Sequence, residues 1–268
     1  MPYQYFDSLL SPIIATFLWS LCIGIASYLL VFKTKLFVNL IEYPLAPPFL
    51  CLPAIMFAFL MGFMSADAWQ NYTQARTALI NEASAISRLA FVPMKSPEKQ
   101  KSYNANLQAY LEAVLNEEWE KSFNKSSSPK AKEALNQLSV TIWKGSIACA
   151  NGSDKQGECI DAFTSVSLMK AHDDLRNARE QRLSLGYLGS VYVKWIMAIL
   201  LAFIAAVSVA AVQRGNQKTG VISLILFCSS IWILFSIVTM YSNPYKWAER
   251  LEPIPLSLIL DDLKTIQQ

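Results

Sequence analysis

The chain has 268 residues, of which 53% are hydrophobic and 16% charged, and a formal net charge of +3. So apolar a composition excludes an ordinary soluble domain, and the lack of any basic run excludes a nucleic-acid surface. The charges are also unevenly placed, because residues 13–32, 45–64, 195–212 and 221–241 contain none. About 20 apolar residues cross a hydrocarbon core of ~30 Å, and a soluble core helix of that length turns one charged face to water. These runs predict four transmembrane helices.

The N-terminal segment MPYQYFD has no positive region before the first span, and no convincing small-residue cleavage site follows that span. It reads as an uncleaved anchor. Residues 1–64 form the first transmembrane hairpin. Pro47 and Pro48 suit a helix start, and Pro53 predicts a kink or the true start of the second span. Helical periodicity continues past Met64 through Trp69, Tyr72, Ala75, Leu79, Ala83, Ile86 and Leu89, so one long helix is expected to leave the membrane. Pro93 and Pro97 break it. The next helix runs to about Phe123 with Tyr103, Leu107, Tyr110 and Val114 inward. A third spans about 130–148 with Leu135, Leu138, Ile142, Trp143 and Ile147 inward. A fourth runs from about 159 past Leu183 with Phe163, Val166, Leu175 and Ala178 inward, and is expected to join the third span directly. Residues 65–189 are therefore expected to form an antiparallel four-helix bundle whose outer helices continue spans two and three. Residues 190–241 form the second transmembrane hairpin. Residues 242–268 end in an amphipathic helix with Leu256, Ile259, Leu260 and Leu263 on one side, suited either to a membrane surface or to docking on the bundle.

Charge in the short loops sets the expected orientation. Lys33 and Lys35 outweigh Glu42 after the first span, and QRGNQKTG between the last two carries Arg214 and Lys218 without an acid. Short basic loops stay in the cytoplasm, which places both termini and the central bundle outside. Cys22, Cys51 and Cys228 lie in spans, whereas Cys149 and Cys159 flank a turn-rich loop. A disulfide between these two suits an oxidising compartment and closes a loop worth about 2–3 kcal/mol; two free thiols close in sequence are the alternative.

Several segments occur in an order that carries a resemblance: GFMSADAWQNYTQA, NEASAISRL, AYLEAVLNEEWE, RNAREQRL and NPYKWAERLEPIPLSLIL. Together they resemble the bacterial bestrophin-like membrane proteins. The matching positions are Gly62 and Phe63, Glu82 and Ala83, Tyr110, Glu118 and Trp119, Arg179 and Arg182, and Pro244 and Tyr245. The chain departs from the family's Pro-Phe-Gly after the last span, reading Pro244, Tyr245, Lys246. The resemblance implies kinship with anion channels and a bacterial inner membrane as location. The central bundle is expected to be unlike the cytosolic domain of the bestrophins.

No HExxH, GxSxG or P-loop occurs, and the one histidine, His172, has no ligand-spaced partners, so no enzyme, metal site or cofactor is expected. Lys194 begins the third span beside aromatic residues, with Arg176, Arg179 and Arg182 at three-residue steps before it. These are candidates for a basic pore mouth or for structural ion pairs. Helix rise predicts that Glu82 pairs with Arg176 or a neighbour, and that Asp67 or Arg76 pairs near Arg179–Arg182. The expected partners are the lipid bilayer, further copies of the chain, inorganic anions and no nucleic acid. The function expected is an oligomeric anion-permeable channel; the alternative is a non-conducting envelope sensor or scaffold acting through its bundle.

Overall fold

An uncharged run inside a bilayer becomes a helix because no water is there to satisfy its backbone N–H and C=O groups. The computed structural model describes residues 2–34, 47–91, 97–150, 160, 162–187, 192–246 and 250–266, and among these every regular element is helical. The α-helices are α1 (Pro2–Tyr28), α2 (Pro47–Ala90), α3 (Pro97–Ala113), α4 (Pro129–Ala150), α5 (Ala162–Tyr187), α6 (Tyr192–Val212), α7 (Gln217–Tyr241) and α8 (Ile254–Ile266). Five π-helical residues, Leu29–Lys33, extend α1, and eight more, Val114–Lys121, extend α3. Four helices are long and apolar enough to cross a membrane: α1, α2, α6 and α7. Pro53 lies inside α2 and does not begin it.

The chain divides into two compact units, residues 1–72 with 189–250 and residues 73–188 with 251–268. In the first, α1 packs on α6 and α7, and α6 packs on α7. Its core joins Ile23, Phe57, Met61, Phe235 and Val238 to a stripe of alanines, Ala198, Ala202 and Ala206, on α6. Small residues permit the close helix approach that drives association in lipid, where no hydrophobic effect is available. Phe57 meets Phe235 edge-on at 6.0 Å. Polar ties cross this unit as well: the Thr16 and Ser236 hydroxyls share a hydrogen bond of 2.8 Å, the Trp232 indole donates to the Ile13 carbonyl at 3.1 Å, and the Gln217 amide donates to the Tyr28 hydroxyl at 2.7 Å.

The second unit is built from the end of α2, then α3, α4, α5 and α8. Leu79, Ile86 and Leu89 of α2 are buried in it, as are Tyr103, Leu107, Leu138, Ile142, Leu168 and Leu175. Here α3 packs on α4 and α4 on α5. The C-terminal helix α8 docks on α3, burying Leu256 and Leu263, with Lys264 3.5 Å from Glu112. That contact places the amphipathic tail with the bundle as a fifth helix.

Four residues expected inward are exposed instead: Trp143, Ile147, Phe163 and Val166. The register explains this. Ile142 is buried on α4, and Trp143 follows it by 100° around the helix, so both cannot face one core. On α5 the buried face is Ser165, Leu168, Leu175 and Arg179, which turns Phe163 and Val166 away. The free cysteines among the described residues are Cys22, Cys51 and Cys228. The expected Cys149–Cys159 pairing involves Cys159, which lies outside the described residues, as does the junction at 188–191.

Candidate functional site

The helical bundle buries two carboxylates and two guanidiniums together. Glu82 on α2, Glu118 on the π-helical extension of α3, and Arg179 and Arg182 on α5 are all buried. Taking an ion out of water costs several kcal/mol, on the order of the stability of a domain, so such groups persist only as a balanced and hydrogen-bonded set. The set is balanced, with two charges of each sign. Arg182 donates from Nε to Glu82 Oε2 at 2.6 Å and from Nη2 to Glu82 Oε1 at 3.0 Å and Glu118 Oε2 at 2.8 Å. Its Nη1 donates to the Asn124 side-chain oxygen. Arg179 Nη2 donates to Glu118 Oε1 at 2.5 Å and to Ser127 Oγ at 2.8 Å. Tyr110 completes Glu82 by donating to Oε1 at 2.7 Å. The Arg182 guanidinium also lies 5.6 Å from the Trp119 ring centroid.

Local structure delivers these groups. The π-helical turn shifts the register so that Val114, Glu118 and Trp119 are all buried. The chain then turns through Phe123 and Asn124, both left-handed with φ of 50° and 58°. This turn presses against Gly186 of α5, where a Cβ would stand 2.1 Å from the Asn124 carbonyl oxygen. Ser128 caps α4 by accepting from the Ala131 N–H at 3.2 Å, while its own N–H donates to Glu118 Oε1 at 2.8 Å. Nearby, Lys130 and then the Ser128 hydroxyl lower the pKa of Glu117. Burial alone would lower the pKa of Arg182, but the Glu82 and Glu118 charges outweigh it and raise it. Burial, reinforced by the Glu82 charge, raises Tyr110 well above the usual phenol range.

In the four-span unit, Lys194 lies 2.5 Å from Asp67, both about half exposed. In the same unit Trp69, Tyr72 and Tyr241 pack together with ring centroids about 6 Å apart. A cavity of about 410 Å³ is lined by groups that include Thr16, Trp19, Trp195, Ile199, Phe235 and Thr239, none of them charged.

The candidate residues thus separate into three places. Glu82 meets Arg182 and not Arg176, which is exposed and bonded to Glu180 at 3.1 Å on its own helix. Asp67 meets Lys194 and not the arginines. Which turn of α5 meets Glu82 is set by the offset between α2 and α5, where one helical turn is about 5.4 Å, and that offset cannot be counted along the chain. Sequence reasoning missed Asn124, Ser127 and Ser128. The signal for Ser128 was present in its position just before Pro129 and a helix. Among the described residues no group of His, Cys, Asp or Glu could hold a metal ion.

Four membrane-length helices together with a charge-paired helical bundle define an all-helical integral membrane protein. It belongs to the bestrophin-like family, whose domain model matches residues 44–256. A bacterial bestrophin homologue from Klebsiella pneumoniae, solved by zinc phasing, has a similar fold, with a TM-score of 0.67 and 14% identity over 95% of this chain and 98% of that one. A point variant of such a homologue from the same organism gives a TM-score of 0.68 at the same identity and coverage. A structure described only as a membrane protein variant gives 0.67 at 14% identity over 96% of this chain and 98% of that one. No curated protein matches the sequence. Such coverage leaves no room for an unrelated insert the size of the bundle. The bundle is part of the shared fold, which corrects the expectation that it departs from the bestrophin pattern.

Proposed function

We propose that the protein is one subunit of an oligomeric, anion-permeable channel in the bacterial cytoplasmic membrane. The observation that carries this reading is the exposed face of α2. Within the four-span unit it presents Met56, Phe59 and Phe63 at 62%, 66% and 70% exposure. Within the bundle the same helix exposes Thr73, Thr77, Asn81 and Ser84, again at three- and four-residue steps. Neither set of exposed residues includes an acid; within the second stretch Glu82 is buried, and between the two Asp67 is paired with Lys194. A wall of hydroxyl and amide groups without carboxylates leaves anions unrepelled, and large apolar side chains form a constriction that gates by dewetting. Four spans are too few to enclose a pore alone, so several α2 helices must surround it. Family membership supports the same reading.

The buried Arg179 and Arg182 are neutralised by Glu82 and Glu118, so the only basic groups left to a pore mouth from the original set are Lys194, beside Asp67, and Arg176, beside Glu180. The basic short loops support an orientation with the bundle outside the cell, opposite to the cytosolic domain of the bestrophins; membrane-impermeant thiol labelling of Cys149 and Cys159 on intact cells after reduction tests that, and labelling only after lysis refutes it. The purified oligomer in planar bilayers, with a chloride gradient, should show a current reversing toward the chloride potential. Phe59→Ala with Phe63→Ala should raise its conductance. A verified oligomer that carries no current rejects the channel. The second reading, a non-conducting scaffold, is favoured by the exposed Trp143 and Phe163 on the bundle and predicts that silent result.

A further inference from the structure

The α4–α5 hairpin exposes an apolar patch at its loop end. Trp143 and Ile147 of α4 and Phe163 and Val166 of α5 all face solvent, Phe163 at 85% exposure. The Ile160 N–H donates to the Gly145 carbonyl at 3.2 Å, which draws the start of α5 alongside α4, the two helices that carry these side chains. Lys144, exposed, borders the α4 face about 60° from Ile147, and Lys170, exposed, lies on the α5 face seven residues beyond Phe163. The same unit carries the complement. Helix α8 buries one face on α3 and turns Ile254 and Leu258 outward, followed one turn later by exposed Asp261 and Asp262.

We infer that these two surfaces bind each other between copies of the chain, the α4–α5 patch of one copy seating on the outer face of α8 of the next. Apolar centres meet, and two lysines meet two aspartates. A patch pairing with itself across a two-fold axis would bring four lysines together against only the Asp173 of each copy, one turn beyond Lys170. An anionic lipid surface would suit the lysines but would leave the acidic, apolar face of α8 uncovered. Because the two surfaces differ, the contact is heterologous, the kind whose repetition builds a ring when its rotation closes. The inference rests on the oligomeric part of the proposed function and names the interface that builds it.

The test is the mass of the detergent-solubilised full chain by native mass spectrometry. K144E/K170E and D261K/D262K should each reduce the oligomer to monomer, and the four substitutions combined should restore the wild-type mass. All four positions are exposed, so circular dichroism should be unchanged. In a background with Cys22, Cys51 and Cys228 replaced by serine, Phe163→Cys with Leu258→Cys should give a ladder of covalent oligomers on oxidation. An oligomer insensitive to either reversal overturns the interface while leaving the channel reading intact. So does a combined variant that stays monomeric, or one reassembled only by added phosphatidylglycerol, which assigns the lysine patch to lipid. A monomeric wild type overturns both.

Discussion

Replacing Arg182 with methionine isolates the energetics of the buried charge set. The side chain is fully buried and donates to both oxygens of Glu82, to Glu118 and to Asn124. Methionine retains much of the volume, so the change is mainly electrostatic. Arg179 still serves Glu118, but among the described residues Glu82 keeps only the Tyr110 hydroxyl. Removing one partner of a buried pair costs about 3–5 kcal/mol, a large share of the ~5–15 kcal/mol that holds a typical domain together. Arg182→Lys keeps the charge but replaces a planar fork with a point donor, and should cost about 1–3 kcal/mol. Arg182→Met with Glu82→Gln removes both charges and should recover most of the loss. Thermal unfolding of the detergent-solubilised variants, followed by circular dichroism, orders them. The reasoning fails if Arg182→Met melts with the wild type, or if the double variant loses the sum of the two single losses.

Two tyrosines form a matched pair of tests. The Tyr110 hydroxyl bonds Glu82, so Tyr110→Phe should cost about 1–3 kcal/mol. The buried Tyr103 hydroxyl has no partner among the described residues, so Tyr103→Phe should be neutral or stabilising; a loss equal to that of Tyr110→Phe contradicts this. Folding raises the Tyr110 pKa above its unfolded value of 10.0, first by burial and then by the Glu82 charge. Its contribution is complete below that value and is lost as pH climbs past it. Alkaline destabilisation should therefore be shallower in Tyr110→Phe, and an unchanged slope counts against the assignment. Gly186→Ala drives a Cβ into the Asn124 carbonyl and should cost at least about 1–3 kcal/mol. Gly62→Ala, with nothing within 4 Å, should melt no lower than the wild type.

The bestrophin-like signature was visible as scattered short segments, and the structure gives them one place. Glu82, Tyr110, Glu118, Arg179 and Arg182 lie as many as 100 residues apart and converge on one buried network. Their order could be read along the chain, but their pairing could not. A slip of one helical turn in the offset between α2 and α5 moves a partner by about 5.4 Å, enough to replace one arginine by the next. The same limit applied to Trp143 and Phe163. Apolar character marks a residue that favours burial, and only the register of neighbouring helices decides whether a single chain can bury it.

By itself, the sequence determined that this is a helical membrane protein with four spans and a long helical segment between the second and third. Lipid and water impose those features locally, through charge-free length and 3.6-residue periodicity. Tertiary structure alone decided that Arg182 meets Glu82, that Asp67 meets Lys194 and that the C-terminal helix docks on the bundle. Each depends on distances between helices, which arise from packing and cannot be counted along the chain.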